Sequence, residues 1–160
     1  MLLIDADLRR PSIHELLGIP NGAGFADVER SGGGTLPLVE VSPRLSVLTA
    51  GKAGASPRAQ LTSDRARAIV KSASASFDWV LLDAPPVGLL PDAQLIARLS
   101  ESVLFVIAAG STPYHLVQRG IADLGADRIV GTVLNRVQAR TLPVSDYYQG
   151  YYQADASRYR

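Results

Sequence analysis

The sequence predicts an α/β fold built on a doubly wound, mostly parallel sheet. Three observations carry that prediction. Continuous apolar runs of strand length recur around residues 1–4, 79–82, 103–108 and 129–134. Segments of helical composition alternate with them. Each run gives way to polar side chains, with Asp5 and Asp7, Asp83 and Asn135 at or just past the ends. Strands that are apolar throughout belong to parallel sheets covered on both faces. The right-handed crossover rule sets the hand of each βαβ unit. Chemistry in such sheets gathers at the C-terminal ends of the strands.

In chain order, residues 1–4 read as a buried strand delivering Asp5. Ser12-Ile13-His14-Glu15 has capping-box spacing, and Gly18 closes a short helix after Leu16-Leu17. Residues 24–30 suggest a second brief helix, ended by Gly32-Gly33-Gly34. Residues 45–49 form the next strand, followed by a Gly, Ala, Ser and Pro-rich loop to Pro57. Residues 64–75 predict a helix burying Ala66, Ile69, Val70 and Ala73, which recur at three- and four-residue spacing. The remaining expectations are strands at 79–83, 103–108 and 129–135, with helices at 92–99 and 112–124. Past Val137 the pattern stops, which divides the chain into a folded domain, residues 1–140, and a flexible tail, residues 141–160.

Composition removes several function classes. A chain of 160 residues fits one domain. Hydrophobic residues at 47% and charged residues at 19% exclude disorder for its bulk. The net charge of +1, with no basic face, argues against a nucleic-acid partner. The absence of Cys excludes a disulfide framework, a thiolate zinc site and a Cys nucleophile. His14 and His115 are the only histidines, and no Ser/His/Asp arrangement accompanies them. The apolar runs are far too short for a membrane span, and the start lacks the basic region of a signal peptide. The expectation is a soluble globular chain.

Any single Asp at a strand end is more often the point where the chain leaves the core than a functional group. Several such ends together shift the balance. Asp5 and Asp7 lie two apart, so in an extended chain both face the same side of the sheet. The tail raises a separate question. Five of the six tyrosines fall here, Tyr147, Tyr148, Tyr151, Tyr152 and Tyr159, in a stretch of little aliphatic content where the run from Tyr147 to Tyr152 sits among Gln, Gly, Asp and Ser. A sticky aromatic interface is the plainer reading of such a segment.

The segments Leu2-Leu3-Ile4-Asp5-Ala6-Asp7-Leu8-Arg9-Arg10-Pro11 and Trp79-Val80-Leu81-Leu82-Asp83-Ala84-Pro85-Pro86 resemble the Walker A′ and Walker B motifs of bacterial P-loop tyrosine kinases. These are the kinases that control capsule and exopolysaccharide assembly. Residues 45–51, Pro91-Asp92-Ala93, Gly131-Thr132-Val133-Leu134-Asn135-Arg136-Val137 and the tyrosine-rich tail extend the resemblance over most of the chain.

The resemblance implies a P-loop NTPase fold of the division-site and partitioning ATPase type, with ATP and Mg²⁺ as cofactors. Phosphoryl transfer asks for a divalent cation and fixed donors more than for covalent work by the protein. Mg²⁺ keeps several waters, so one or two carboxylates suffice. On this reading Asp5 activates the acceptor hydroxyl, Asp7 and Asp83 serve the metal and its waters, Arg9 suits a phosphate or carboxylate partner, and Asn135 reads adenine. The tail tyrosines become autophosphorylation sites exchanged between subunits of a ring. The implied partner is a membrane polysaccharide co-polymerase or adaptor, on the same or a separate chain, at the inner face of the plasma membrane.

The sequence departs from the family in one major respect. It holds no G-x-x-x-x-G-K-[ST] loop, whose amides and Lys grip the phosphates and which the family carries upstream of the segment matched at Leu2. The expectation is therefore a part of a longer protein, inactive by itself. Ala108-Ala109-Gly110 also lacks the basic residue expected before the Gly. Two other readings stand beside the kinase. One is a partitioning-type P-loop ATPase, which shares the same acids. The other is a non-catalytic phospho-acceptor or interaction module that offers its tyrosines to an intact kinase.

Overall fold

The computed structural model describes residues 1–28, 36–52, 54, 56–88 and 91–137. Strand β1 (Leu2–Asp5) is the middle of the main sheet. It is hydrogen-bonded in parallel to β3 (Leu45–Leu48) on one side and to β4 (Val80–Asp83) on the other. A strand flanked on both sides and covered above and below needs apolar residues at every position, and Leu2 and Ile4 are fully buried.

Strand β2 (Val39–Ser42) adds the outer edge, antiparallel to β3, giving the order β2-β3-β1-β4. Its Val-Glu-Val-Ser sequence never forms an apolar run, because it is a partly exposed edge strand. Glu40 on such an edge discourages pairing with another chain.

Helices α1 (Ile13–Leu17), α2 (Phe25–Val28), α3 (Pro57–Leu61) and α4 (Asp64–Ser76) pack around this sheet. Leu8, Phe25, Ala26, Leu48, Leu61, Ala66, Ile69 and Ile96 join Leu2 and Ile4 in one core. Helix α4 buries Ala66, Ile69, Val70 and Ala73, the four residues its periodicity singles out. Ser63 caps it, accepting from Ala66 N at 3.1 Å. Helix α3 begins where the expected loop ends, in residues given no element by the sequence, and carries its own start signal. Ser56 Oγ accepts from Ala59 N at 3.4 Å, and Pro57 occupies the first turn.

After β4 the chain forms α5 (Asp92–Ala97), β5 (Val103–Ala108), α6 (Tyr114–Leu124), a 3₁₀ turn at Ala126–Arg128 and β6 (Ile129–Asn135). Strands β5 and β6 pair in parallel, as a two-stranded sheet of their own among the described residues. Arg128 ties this part to the end of α5, with Nη2 at 2.7 Å from the carbonyls of both Ala97 and Ser100.

The expectation of cover on both faces holds at β1 but not at β5 and β6. Phe105 points at Gly120 of α6, where a Cβ would lie 3.0 Å from its ring, so one face is packed. Leu104 and Val106 on the other face are more than half exposed, and Val133 beside Val106 is exposed too. No described helix covers that side. The boundary at residue 140, the triple glycine at 32–34 and the tyrosine tail all lie outside the described residues.

Candidate phosphoryl-transfer site

Parallel pairing of β1 and β4 brings Asp5 and Asp83 into register at the C-terminal ends of adjacent strands. The ladder continues one step further, where Ala6 N donates to the Asp83 carbonyl at 3.0 Å. The chain leaves strand geometry at that point. Asp7 therefore lies just past the end of the strand, near enough for its charge to act on both Asp5 and Asp83. Leu8 N turns back onto the Ala6 carbonyl at 3.0 Å, and Asp7 Oδ1 accepts from Arg9 N at 3.1 Å and Arg10 N at 3.0 Å. One Asp7 oxygen thus shapes the turn.

Asp5 is fully buried. Its Oδ2 accepts from Ser12 N and Ile13 N, both at 3.2 Å, at the start of α1. This replaces the capping box predicted there, since the Ser12 side chain makes no cap hydrogen bond. Gly18 does end the helix in the left-handed conformation, with φ 64°. Asp5 Oδ1 is buried with no hydrogen-bond partner among the described residues.

Burial pushes the Asp5 carboxyl above its usual range, and the N–H donors from Ile13, Asp7 and Ser12 offset this only partly. Asp83 is also raised, first by burial and then by repulsion from Asp5 and Asp7. The three acids therefore sense one another. They do not converge closely enough to make a ready-made metal cage, and no group of three ligand-type residues does so among the described residues.

That arrangement still fits Mg²⁺, which takes one or two carboxylates and keeps its waters. A buried oxygen without a partner on Asp5 and mutual repulsion across to Asp83 would each be relieved by a cation or by a proton.

Arg9 and Asp92 form the other connection. The Arg9 guanidinium, on a partly exposed side chain, pairs through Nε with Asp92 Oδ2, and Nη2 lies 3.5 Å from Oδ1. Asp92, the first residue of α5, is 2% exposed. In the sequence it marks a helix start and belongs to the Pro91-Asp92-Ala93 segment, with no role of its own. Only the tertiary structure shows that its charge is buried.

Asn135 ends β6 and is exposed, away from the β1–β4 pair in the chain's second sheet. Its side-chain oxygen accepts from Arg136 N at 2.8 Å, where Arg136 has φ 58°. This is turn-forming behaviour. The five tail tyrosines lie outside the described residues.

A third junction escaped sequence reasoning. Phe25 N and Ala26 N, opening α2, donate to the carbonyls of Thr49 and Ala50 at 2.8 and 2.9 Å. Gly24 and Gly51 lie against each other there. Asn21 brackets Gly51, with Oδ1 at 2.9 Å from its N–H and Nδ2 at 3.3 Å from its carbonyl. This fixes the segment after β3, next to β1.

No family model matches the chain. It is 29% identical over 139 residues to the tyrosine-protein kinase YwqD of Bacillus subtilis, covering 84% of this chain and 59% of that kinase. The chain thus spans about three-fifths of the length of that relative. Among solved structures, the kinase domain of the Escherichia coli tyrosine kinase ETK superposes with a TM-score of 0.80 at 27% identity, over 88% of this chain and 57% of that one. The cell division ATPase MinD of Pyrococcus furiosus shares the fold, with a TM-score of 0.68 at 20% identity over 95% of this chain and 66% of that one. The chain therefore shares the α/β fold of these kinase domains and of MinD, and is similar in sequence to bacterial tyrosine-protein kinases.

Proposed function

We propose that the chain is the acid-bearing part of an ATP-dependent protein-tyrosine kinase that regulates capsular and exopolysaccharide biosynthesis and export. The observation that carries this reading is the in-register pair Asp5 and Asp83, raised together by burial, with an unsatisfied oxygen on Asp5. Strand-end acids that repel one another are poised for a divalent cation and the phosphates it accompanies.

Asp83, and the Asp7 oxygen not used by the loop, would hold Mg²⁺ or its waters. Bound there, the ion would neutralise charge developing on the transferred phosphoryl group. Asp5 Oδ1 orients and takes the proton of the acceptor tyrosine. The phenolic oxygen bonds to the γ-phosphorus as the bond from that phosphorus to the ADP oxygen breaks. A carboxylate raised above its usual range is a better base for that proton than an ordinary Asp.

The phosphate grip itself we assign to sequence outside these 160 residues, which hold no G-x-x-x-x-G-K-[ST] loop. The tail residues Tyr147, Tyr148, Tyr151, Tyr152 and Tyr159 are the proposed acceptors, phosphorylated between subunits of a ring. A membrane co-polymerase or adaptor at the inner face of the plasma membrane is the proposed partner. Each phosphate would add roughly −1.5 to −2 charges, which repel an acidic strand-end site and loosen such a ring.

The test is tail phosphorylation by the full-length protein with Mg-ATP. Asp5→Asn and Asp83→Asn are each expected to abolish it. Unchanged phosphotyrosine in either variant would remove that residue from the site.

A further inference from the structure

We propose that Asp92 is a positioning residue for phosphoryl transfer, acting through Arg9 to hold the Asp5–Arg10 turn against the start of α5. The inference rests on the kinase reading of Asp5, Asp7 and Asp83, and adds a residue that touches none of the reacting groups.

The turn has backbone anchors at its two ends and a side-chain anchor in the middle. At its start, Ala6 N is bound to the Asp83 carbonyl. At its far end, Ser12 N and Ile13 N are bound to Asp5. Between them, Asp7 closes the turn on itself through Arg9 N and Arg10 N. Those last bonds give the turn its shape but fasten it to nothing else. The Arg9 side chain provides the fastening, across 83 residues of sequence, to the helix that follows β4.

A fork-shaped guanidinium against a carboxylate fixes angle as well as distance. Asp92, almost wholly buried, has no hydrogen bond among the described residues other than those from Arg9. The pair thus sets where Asp7 stands relative to Asp83. Arg9 on this assignment acts on Asp92 and not on a phosphate. Leu8 is buried in the core, so the turn keeps that hold when the pair breaks, but the Asp7–Arg10 side loosens and a buried carboxylate is left without its cation. Displacement of catalytic groups by about 1 Å can cost on the order of a hundredfold in rate.

The experiment uses the full-length protein with Asp92→Asn, Arg9→Gln, Arg9→Lys and the double variant Arg9→Gln/Asp92→Asn. Each Arg9→Gln or Asp92→Asn single variant is expected to lower kcat about tenfold or more, with KM for ATP within about twofold. The Mg²⁺ concentration for half-maximal rate should rise in both. The double variant should lose no more than the worse single variant, because both singles break the same tether, and Arg9→Lys should lie between that loss and the unmodified protein, having lost the fork but kept the charge. A rise in KM for ATP on Arg9→Gln, with Asp92→Asn unaffected, would assign Arg9 to phosphate and overturn the proposal.

Amide hydrogen exchange without nucleotide separates this from failure of the kinase reading. Asp92→Asn should speed exchange at Arg9 and Arg10 while leaving β3 unchanged. Unaltered exchange there would also overturn the proposal. Faster exchange in a protein that never phosphorylates tyrosine would leave the tether standing and sink the kinase reading alone.

Discussion

Asp5 and Asp83 end adjacent parallel strands opposite one another, and Ala6 N bridges the two strands just beyond them. Their carboxyls share one partly buried region and repel. The fold holds this repulsion in place because the β1–β4 register leaves neither strand free to slide.

Asp83→Asn should therefore raise thermal stability at neutral pH while removing phosphoryl transfer. Asp83 binds its proton more tightly folded than unfolded, so its favourable contribution is fully present below about pH 3.8 and is lost as pH rises through the folded value. At pH 7 the charged form is a burden that Asn lifts. The melting temperature is expected to rise by a few degrees, and the gain should shrink on acidification toward pH 4. Calorimetry at both pH values checks this.

Mg²⁺ should stabilise the unmodified full-length protein and leave Asp83→Asn unmoved. A ligand that binds only the folded state at a hundred times its Kd adds about 2.7 kcal/mol. A melting curve with and without MgCl₂, in the absence of nucleotide, measures the difference. Equal stabilisation of both proteins would place the ion elsewhere.

Gly24→Ala and Gly51→Ala should each destabilise severely, by more than the roughly 1–3 kcal/mol of ordinary overpacking. A Cβ on Gly24 would lie 2.7 Å from the Ala50 carbonyl carbon, and one on Gly51 would lie 2.7 Å from Gly24 N. Both obstacles are backbone, and Gly51 also has φ 76°. Gly22→Ala, in open space, is the control and should be nearly neutral. Denaturant midpoints report all three.

Ser63→Ala should cost about 1 kcal/mol through the lost cap of α4. Ser12→Ala should cost only a few tenths, because the Asp5 carboxylate does the capping and the Ser12 contribution is its backbone N–H. Urea unfolding of the two variants distinguishes them. Equal losses would restore the capping-box reading at residue 12.

The sequence was most readable where one physical demand dominates. Strands β1, β4, β5 and β6 announce themselves by apolar runs, and α4 by the spacing of Ala66, Ile69, Val70 and Ala73. Strand β2 was hidden because an exposed edge needs no apolar run. Helix α3 was hidden because Gly, Ala and Ser-rich surroundings masked a Ser-Pro start. The acids Asp5, Asp7 and Asp83 were visible as strand ends, yet their partners were not. That Asp5 caps α1, that Asp7 leaves the strand and that Asp92 answers Arg9 all depend on contacts between distant segments. Likewise, the spacing inside residues 103–108 could not reveal that Leu104 and Val106 lie on an open face.

The two oxygens of Asp5 face different worlds. Oδ1 is the atom a proton or cation would reach, while Oδ2 holds the first amides of α1, a helix whose Leu16 is 80% exposed. Charge drawn toward Oδ1 weakens Oδ2 as an acceptor, so events at the buried acid are written onto the Ser12 and Ile13 amides. Those amide resonances are a built-in gauge of the charge state of the site, readable in solution without touching the reacting atoms.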